Sequence, residues 1–287
     1  MMVHVAEAGE ARGRVVLRCG LSPAANDAAL RVAIHLAKAY RSEIEGLFVE
    51  DRQVFAFAGY PFAREVAYAD GALRPLDAGD LQRQYRALYE AESRHILISA
   101  AAAGVLARVQ SVRDDEMTAL VHCCAASGPW NVVVLPGTGT SSAAGSIGHV
   151  LDAVQDATGV VAVPRKFGVP SGPVVVAAED EDRLPVMLRT AERLASVTGS
   201  PIRLLLIASA QDELPWLEAQ ARLLVAGQKH CEIELYDTSR APVSALPEHI
   251  RKQRGSFLIT RYGGFALPYD VREPVAGMLG IPVFSIR

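Results

Sequence analysis

An α/β fold of two tandem domains, each a five-stranded, mostly parallel sheet sandwiched by helices, is predicted by three observations in the sequence. The first is a complete strand–turn–helix–strand unit at residues 131–165, NVVVLPGTGTSSAAGSIGHVLDAVQDATGVVAVPR. Within it, Val132-Val133-Val134-Leu135 is the uninterrupted apolar run expected of a strand buried on both faces of a parallel sheet. The second is that strands and helices alternate through the chain twice in the same order. The third is that both runs end alike, in TGVVAVPR and in GIPVFSIR. Duplication is the economical reading. It gives a first domain over residues 1–166 and a second over 167–287.

The elements follow from local patterns. RVVLR at 14–18 is a first strand, and Cys19-Gly20-Leu21-Ser22-Pro23 turns the chain. Ser22, Asn26 or Asp27 then supplies a cap for a helix at 24–40, which places Leu30, Ile34 and Ala37 on one face. IEGLFV at 44–49 is a second strand, ended by Glu50-Asp51. Residues 51–79 break the rhythm and carry Phe55, Phe57, Tyr60, Phe62 and Tyr68. A connection of this length and composition reads as an insertion with a dimer-forming or ligand-covering role, against the plainer reading that it packs onto the sheet edge. A long helix at 80–104 has a stripe of Leu81, Tyr85, Leu88, Ile96 and Ala100. After a strand at 106–112, Asp114-Asp115-Glu116 opens a helix, since acids suit a first turn. Gly128-Pro129 stops that helix before the 131–165 unit.

In that unit, Pro136 and Gly137 end the strand, and a loop of Gly, Thr and Ser leaves backbone amides open to an anion. Ile147, Val150, Leu151 and Val154 then recur at helical spacing. In the second domain, apolar runs predict strands at 173–178, 202–208, 231–236, 257–260 and 282–286. Helices are expected at 184–198, 214–226, 243–252 and 269–279.

Composition narrows the function classes. Half of the 287 residues are hydrophobic and 21% are charged, as in globular chains. A net charge of −3 gives no electrostatic case for nucleic acid or an anionic membrane as partner. No apolar run approaches the roughly 20 residues that span a bilayer, and the amino terminus lacks the pattern of a signal peptide. The four cysteines, Cys19, Cys123, Cys124 and Cys231, make no CxxC or metal spacing, so a reduced, cytoplasmic setting is expected. The histidines, among them His35, His95, His122 and His149, show no paired-ligand spacing, so no metal is expected. Ser22 and Ser146 lie outside any nucleophile-elbow context, so no hydrolase triad is expected.

RVVLRCGLSPAANDAALRVAIHLAK at 14–38, IEGLFVED at 44–51 and the block 119–165 resemble the universal stress protein family in its tandem form. The resemblance covers the first half outside 51–79; the second half matches in pattern and in its ends. It implies a Rossmann-type fold, like that of the adenine-nucleotide alpha-hydrolases, and a nucleotide site at the carboxyl ends of the strands. In nucleotide-binding members an Asp follows the first strand, and a Gly-x-x-Gly loop followed by Gly-Ser/Thr cradles the phosphates. Here Cys19 stands at the Asp position, followed by the matching Gly20. The loop offers Gly137 and Gly139, with Gly145-Ser146 arriving several residues early. The motif is therefore degenerate. The implied ligand set is Cys19, Gly20, Gly137, Gly139, Gly145 and Ser146, with the backbone near Val49 against a base, and ATP or AMP as the implied nucleotide.

Each sharp reading has a plain counterpart. The glycine loop is either a remnant site or a flexible connection. Cys19, before a helix, is either an activated thiol or a small buried replacement. The acids at 179–182 read as a solvated loop end. Trp130 and Trp216 read as core or interface residues. Three functions follow in order: a stress-response binding or regulatory protein sensing a small ligand, a slow ATPase, and an assembly module without ligand. An adenine nucleotide or other small ligand, and either a homo-oligomer or pseudo-symmetric pairing of the two domains, are the expected partners.

Overall fold

The computed structural model describes residues 13–66, 71–126, 128, 130–137, 147–208, 213–227, 230–268 and 275–287. The first half contains β1 (Arg14–Cys19), α1 (Pro23–Tyr40), β2 (Glu43–Asp51), α2 (Arg52–Ala58), β3 (Arg64–Val66), β4 (Leu73–Pro75) and α3 (Ala78–Ala102). It continues through β5 (Ala107–Asp114), α4 (Glu116–Ala125), β6 (Asn131–Leu135), α5 (Ile147–Ala153) and β7 (Ala157–Ala162). The second half contains β8 (Val174–Ala178), α6 (Leu184–Thr198), β9 (Ile202–Ala208), α7 (Glu213–Leu224) and β10 (Cys231–Asp237). It closes with α8 (Leu246–Lys252), β11 (Phe257–Arg261), α9 (Val275–Leu279) and β12 (Val283–Ile286).

The α/β class holds, with five parallel strands in each half. Counting each half's main strands from one to five, both sheets run in the order 3-2-1-4-5: β5-β2-β1-β6-β7 and β10-β9-β8-β11-β12. The two sheets are not separate. β7 pairs antiparallel with β12, so one ten-stranded sheet crosses the molecule. Close approach at that seam demands a glycine: a Cβ on Gly159 would collide with the Phe284 ring.

Sequence accounts for the layering. The central strands β1, β6 and β8 are buried almost throughout, as their apolar runs require. The edge strand β5 has only half-buried and exposed positions and carries Arg108 and Arg113, charges that discourage edge-to-edge pairing. One face is covered by α1, α3, α6 and α7, the other by α4, α5, α8 and α9. The helix α1 starts with Pro23 behind an extended Ser22 and ends at Arg41 in the left-handed region (φ 51). The Ser22 hydroxyl makes no capping bond, and Asn26 lies inside the helix, buried.

Element bounds differ from the periodicity in a few places. The helix expected at 243–252 begins as a 3₁₀ turn over Val243–Ala245. The helix after the glycine loop ends at Ala153, because the chain turns into β7 at Ala157 rather than at Val160. Of the helix expected at 269–279, Val275–Leu279 lies within the described residues. The 51–79 insertion is a short helix, α2, followed by the two-stranded β3–β4 hairpin. Part of it does pack on the sheet: Phe55 meets Tyr85 edge-on at 5.4 Å and carries the Arg113 guanidinium 4.0 Å above its ring. The rest does not. Tyr60 and Phe62 stack on each other 5.2 Å apart and are both exposed, while Tyr68 lies outside the described residues.

Candidate site at the carboxyl ends of β1 and β6

In a 3-2-1-4-5 sheet the chain leaves strand 1 in one direction and strand 4 in the other, opening a crevice where ligands bind in open α/β sheets. In the first half that switch point lies between the ends of β1 and β6, bounded by Cys19-Gly20 and Pro136-Gly137. Sequence therefore brings Cys19, Gly20 and Gly137 to one place, with Val49 one strand away near the end of β2. Gly139, Gly145 and Ser146 lie outside the described residues.

The geometry gives each a definite role. Cys19 is buried, and its thiol points back to the Leu17 carbonyl at 3.7 Å. Burial, with the Glu92 carboxylate adding to it, pushes the thiol up to about 12 against the pull of Arg18. It is a neutral, packed group rather than an activated nucleophile. Both backbone polar groups of Gly20 are engaged by one side chain. Asn26 accepts from the Gly20 N–H at 2.8 Å and donates to its carbonyl at 2.8 Å. Gly137 is fixed by crowding, since a Cβ there would sit 2.5 Å from the Arg165 nitrogen and 2.6 Å from the Val163 oxygen. At Gly137 the chain is therefore pressed against the segment after β7, which is tied by the Val163 N–H to the Leu135 carbonyl at 2.9 Å.

Three charged or polar side chains that sequence reasoning passed over complete the site. Arg18 is buried on β1, on the opposite face from Cys19. Its Nε lies 2.7 Å from Glu116 at the start of α4, while its Nη1 is buried with no hydrogen-bond partner among the described residues. Burial raises the Glu116 carboxyl, opposed by Arg18 and His149 and reinforced by Asp115 and Asp51. Beneath Gly20, Glu92 of α3 reaches Asn26, and its Oε2 is buried without a partner among the described residues. Burial raises this carboxyl too. A signal for Arg18 was present: a cation between Leu17 and Cys19 at the buried end of a strand. One for Glu92 was present as well, since it falls on the α3 stripe between Leu88 and Ile96.

The corresponding crevice of the second half is filled from within. Glu179, just past β8, is not a solvated loop end: its side chain is 4% exposed and lies 3.3 Å from the Arg261 Nε. It accepts the N–H of Ala266 at 3.3 Å and that of Phe265. A Cβ on Gly264 would meet its carboxylate at 2.5 Å, so the glycine turn wraps the chain's own anion. Asp180 pairs with Arg261 at 3.0 Å, whereas Glu181 and Asp182 are exposed.

Solved structures with this arrangement span nearly the whole chain. A universal stress protein from Archaeoglobus fulgidus DSM 4304 superposes with a TM-score of 0.64 at 13% identity, covering 97% of each chain. This chain has a universal-stress-protein fold. A putative universal stress protein from Pseudomonas aeruginosa UCBPP-PA14 gives 0.56 at 13% identity, covering 96% of this chain and 94% of that one. The cytoplasmic domain of a prokaryotic cation chloride cotransporter gives 0.54 at 11%, covering 96% and 95%. Neither a family model nor a curated protein sequence matches the chain. The stress-protein fold is thus shared at identities too low to carry side-chain chemistry across. Among the described residues, no helix is long and apolar enough to cross a membrane, and no cluster of His, Cys, Asp and Glu is arranged to hold a metal.

Proposed function

We propose that this protein is a cytoplasmic regulatory protein of the stress response that binds one small anionic ligand, in its first half, with an adenine nucleotide such as ATP or AMP as the first candidate. The observation that carries this reading is Arg18: a buried guanidinium whose Nη1 has no partner among the described residues, one residue before the end of the strand that borders the crevice. An unpaired buried donor is costly to keep, and a phosphate or carboxylate would satisfy it. Gly20 and Gly137 then shape the crevice instead of donating to the ligand, and Gly139, Gly145 and Ser146 supply the phosphate side. The base lies near Val49. The second crevice, occupied by Glu179, takes no ligand in this reading. The stress-response role rests on the fold shared with the two stress proteins.

Calorimetry with ATP, ADP and AMP, with and without Mg²⁺, tests the reading. Micromolar binding is expected, weakened about tenfold in Arg18→Gln, in keeping with the loss of one charge-assisted bond. Absence of binding up to millimolar nucleotide would overturn it. Slow hydrolysis is the competing outcome, with Glu116 as the acid beside Arg18, and phosphate release measured in the same samples separates turnover from binding.

The exposed Tyr60–Phe62 stack, flanked by exposed Val66 and Leu73 on the hairpin, favours a second role in self-association. Exposed apolar surface of this kind marks contact sites.

A further inference from the structure

A second recess lies at the amino-terminal ends of β6 and β7, where α1 of one half packs against α6 of the other. The two helices are joined by His35 Nε2 on the Leu194 carbonyl at 2.9 Å and by the Tyr40 hydroxyl on Thr190 at 3.4 Å. Just beyond these contacts, Tyr40 and Trp130 stand 5.4 Å apart with their rings inclined at 42°. Together with Phe284 and Ile286 from β12 they wall an inner recess of about 230 Å³. An outer recess of about 820 Å³ shares Tyr40, Trp130 and Arg193 with it and opens past Lys38 and Arg41. Trp130 precedes β6 and Gly137 follows it, so a five-residue strand, roughly 17 Å long, separates this recess from the switch-point crevice.

The charges around it are one-sided. Lys38, Arg41, Arg189 and Arg193 line the two recesses, and no acidic side chain does so among the described residues. None of the four makes an ion pair among those residues, whereas most of the described arginines outside the recess pair with carboxylates, as in Arg14–Glu43, Arg113–Glu50 and Arg203–Glu232. Complementing the carboxyl ends of α1 and α6 accounts for a cation or two. It does not account for four cations gathered on an aromatic cleft in a chain of net charge −3. Arg193 already leans on the Tyr40 ring, 5.2 Å from its centroid.

We propose that this interdomain cleft binds a flat apolar anion, its ring body against the Tyr40–Trp130 pair over Phe284, and its anionic group among Arg189, Arg193, Lys38 and Arg41. An apolar slot with a few convergent charges is how small-molecule sites combine affinity with orientation. Because Tyr40 and Trp130 come from the first half and the two arginines from the second, occupancy ties the halves together. The ligand is a stabiliser of the α1–α6 contact.

The probe is 8-anilinonaphthalene-1-sulfonate, read by energy transfer from Trp130 in a Trp216→Phe background, with the uncharged N-phenyl-1-naphthylamine as its neutral counterpart. Trp216 is exposed and remote, on α7, so its replacement leaves the cleft intact. The expected result is saturable transfer to the sulfonate, about tenfold weaker in Arg189→Gln or Arg193→Gln, weakened by salt, and unchanged in Arg18→Gln. All three arginine variants are checked for an unaltered melting temperature, so that probe binding to loosened protein is not mistaken for the site. Equal affinity for the neutral compound, no saturable transfer, or loss of transfer in Arg18→Gln alone would each overturn the proposal.

Discussion

Ionising Cys19, Cys123 or Cys124 in the folded chain places a thiolate in an apolar layer, so burial raises these thiols from 9.0 to about 12, about 11 and about 12. The folded values lie above the unfolded one. Stability from these groups is therefore fully present below about pH 9 and is lost as pH rises towards the folded values, because the unfolded chain releases protons that the native chain retains. Each thiol contributes a loss of about 1.4 kcal/mol per pH unit within that window. Urea unfolding at about pH 8 and about pH 10 should show Cys19→Ala losing about 1 kcal/mol less than the unaltered chain. Equal losses would mean that Cys19 ionises in the native protein. The same burial explains what was legible at this position. That a cysteine rather than an acid ends the first strand could be read directly, and its packed, neutral state follows from being the last residue of a strand covered on both faces. The clamp of Asn26 on Gly20 is local, six residues apart, but Glu92 beneath it comes from far along the chain, and its arrival depends on where α3 lands against α1.

At the scale of elements, apolar periodicity located the strands and helices well because most of them bury one face or both. It was uninformative where burial is slight. The β3–β4 hairpin has exposed residues throughout, so no pattern distinguished it from a loop. In the second half, the run Glu179 to Asp182 looked uniformly polar, yet the glycine turn after β11 selects Glu179 alone for burial. The hairpin leaves a testable surface. Tyr60 and Phe62 are 53% and 68% exposed, so replacing both by Ser removes apolar surface without opening the core. Size-exclusion chromatography should show Tyr60→Ser/Phe62→Ser eluting as a smaller species than the unaltered chain. Its stability should stay within about 0.5 kcal/mol, as for other surface changes. Identical elution of the two proteins would remove the hairpin as a self-association surface.

For the whole molecule, duplication could be read from the order of elements and the matching ends, but the way the halves join could not. Nothing in VVAV or VFSI says that these two edge strands pair with each other, antiparallel, rather than with another chain. Pairing closes both inner edges, and its consequence reaches beyond the seam. The apolar layer on the α1 side runs without a break from Val15 and Leu36 to Val176 and Leu194. The layer on the other side runs from Val133 and Val160 to Leu258 and Val283. With backbone pairing and both layers shared, the halves should melt as one unit despite being built as two. Differential scanning calorimetry should give a single transition whose calorimetric and van't Hoff enthalpies agree. Gly159→Val, which forces a side chain into the Phe284 ring, should destabilise that single transition by about 1–3 kcal/mol, the usual cost of overpacking. Two separate transitions in the unaltered protein would show that the continuous sheet is mechanically divided at β7–β12. A Gly159→Val effect confined to one of them would place the division at the seam itself.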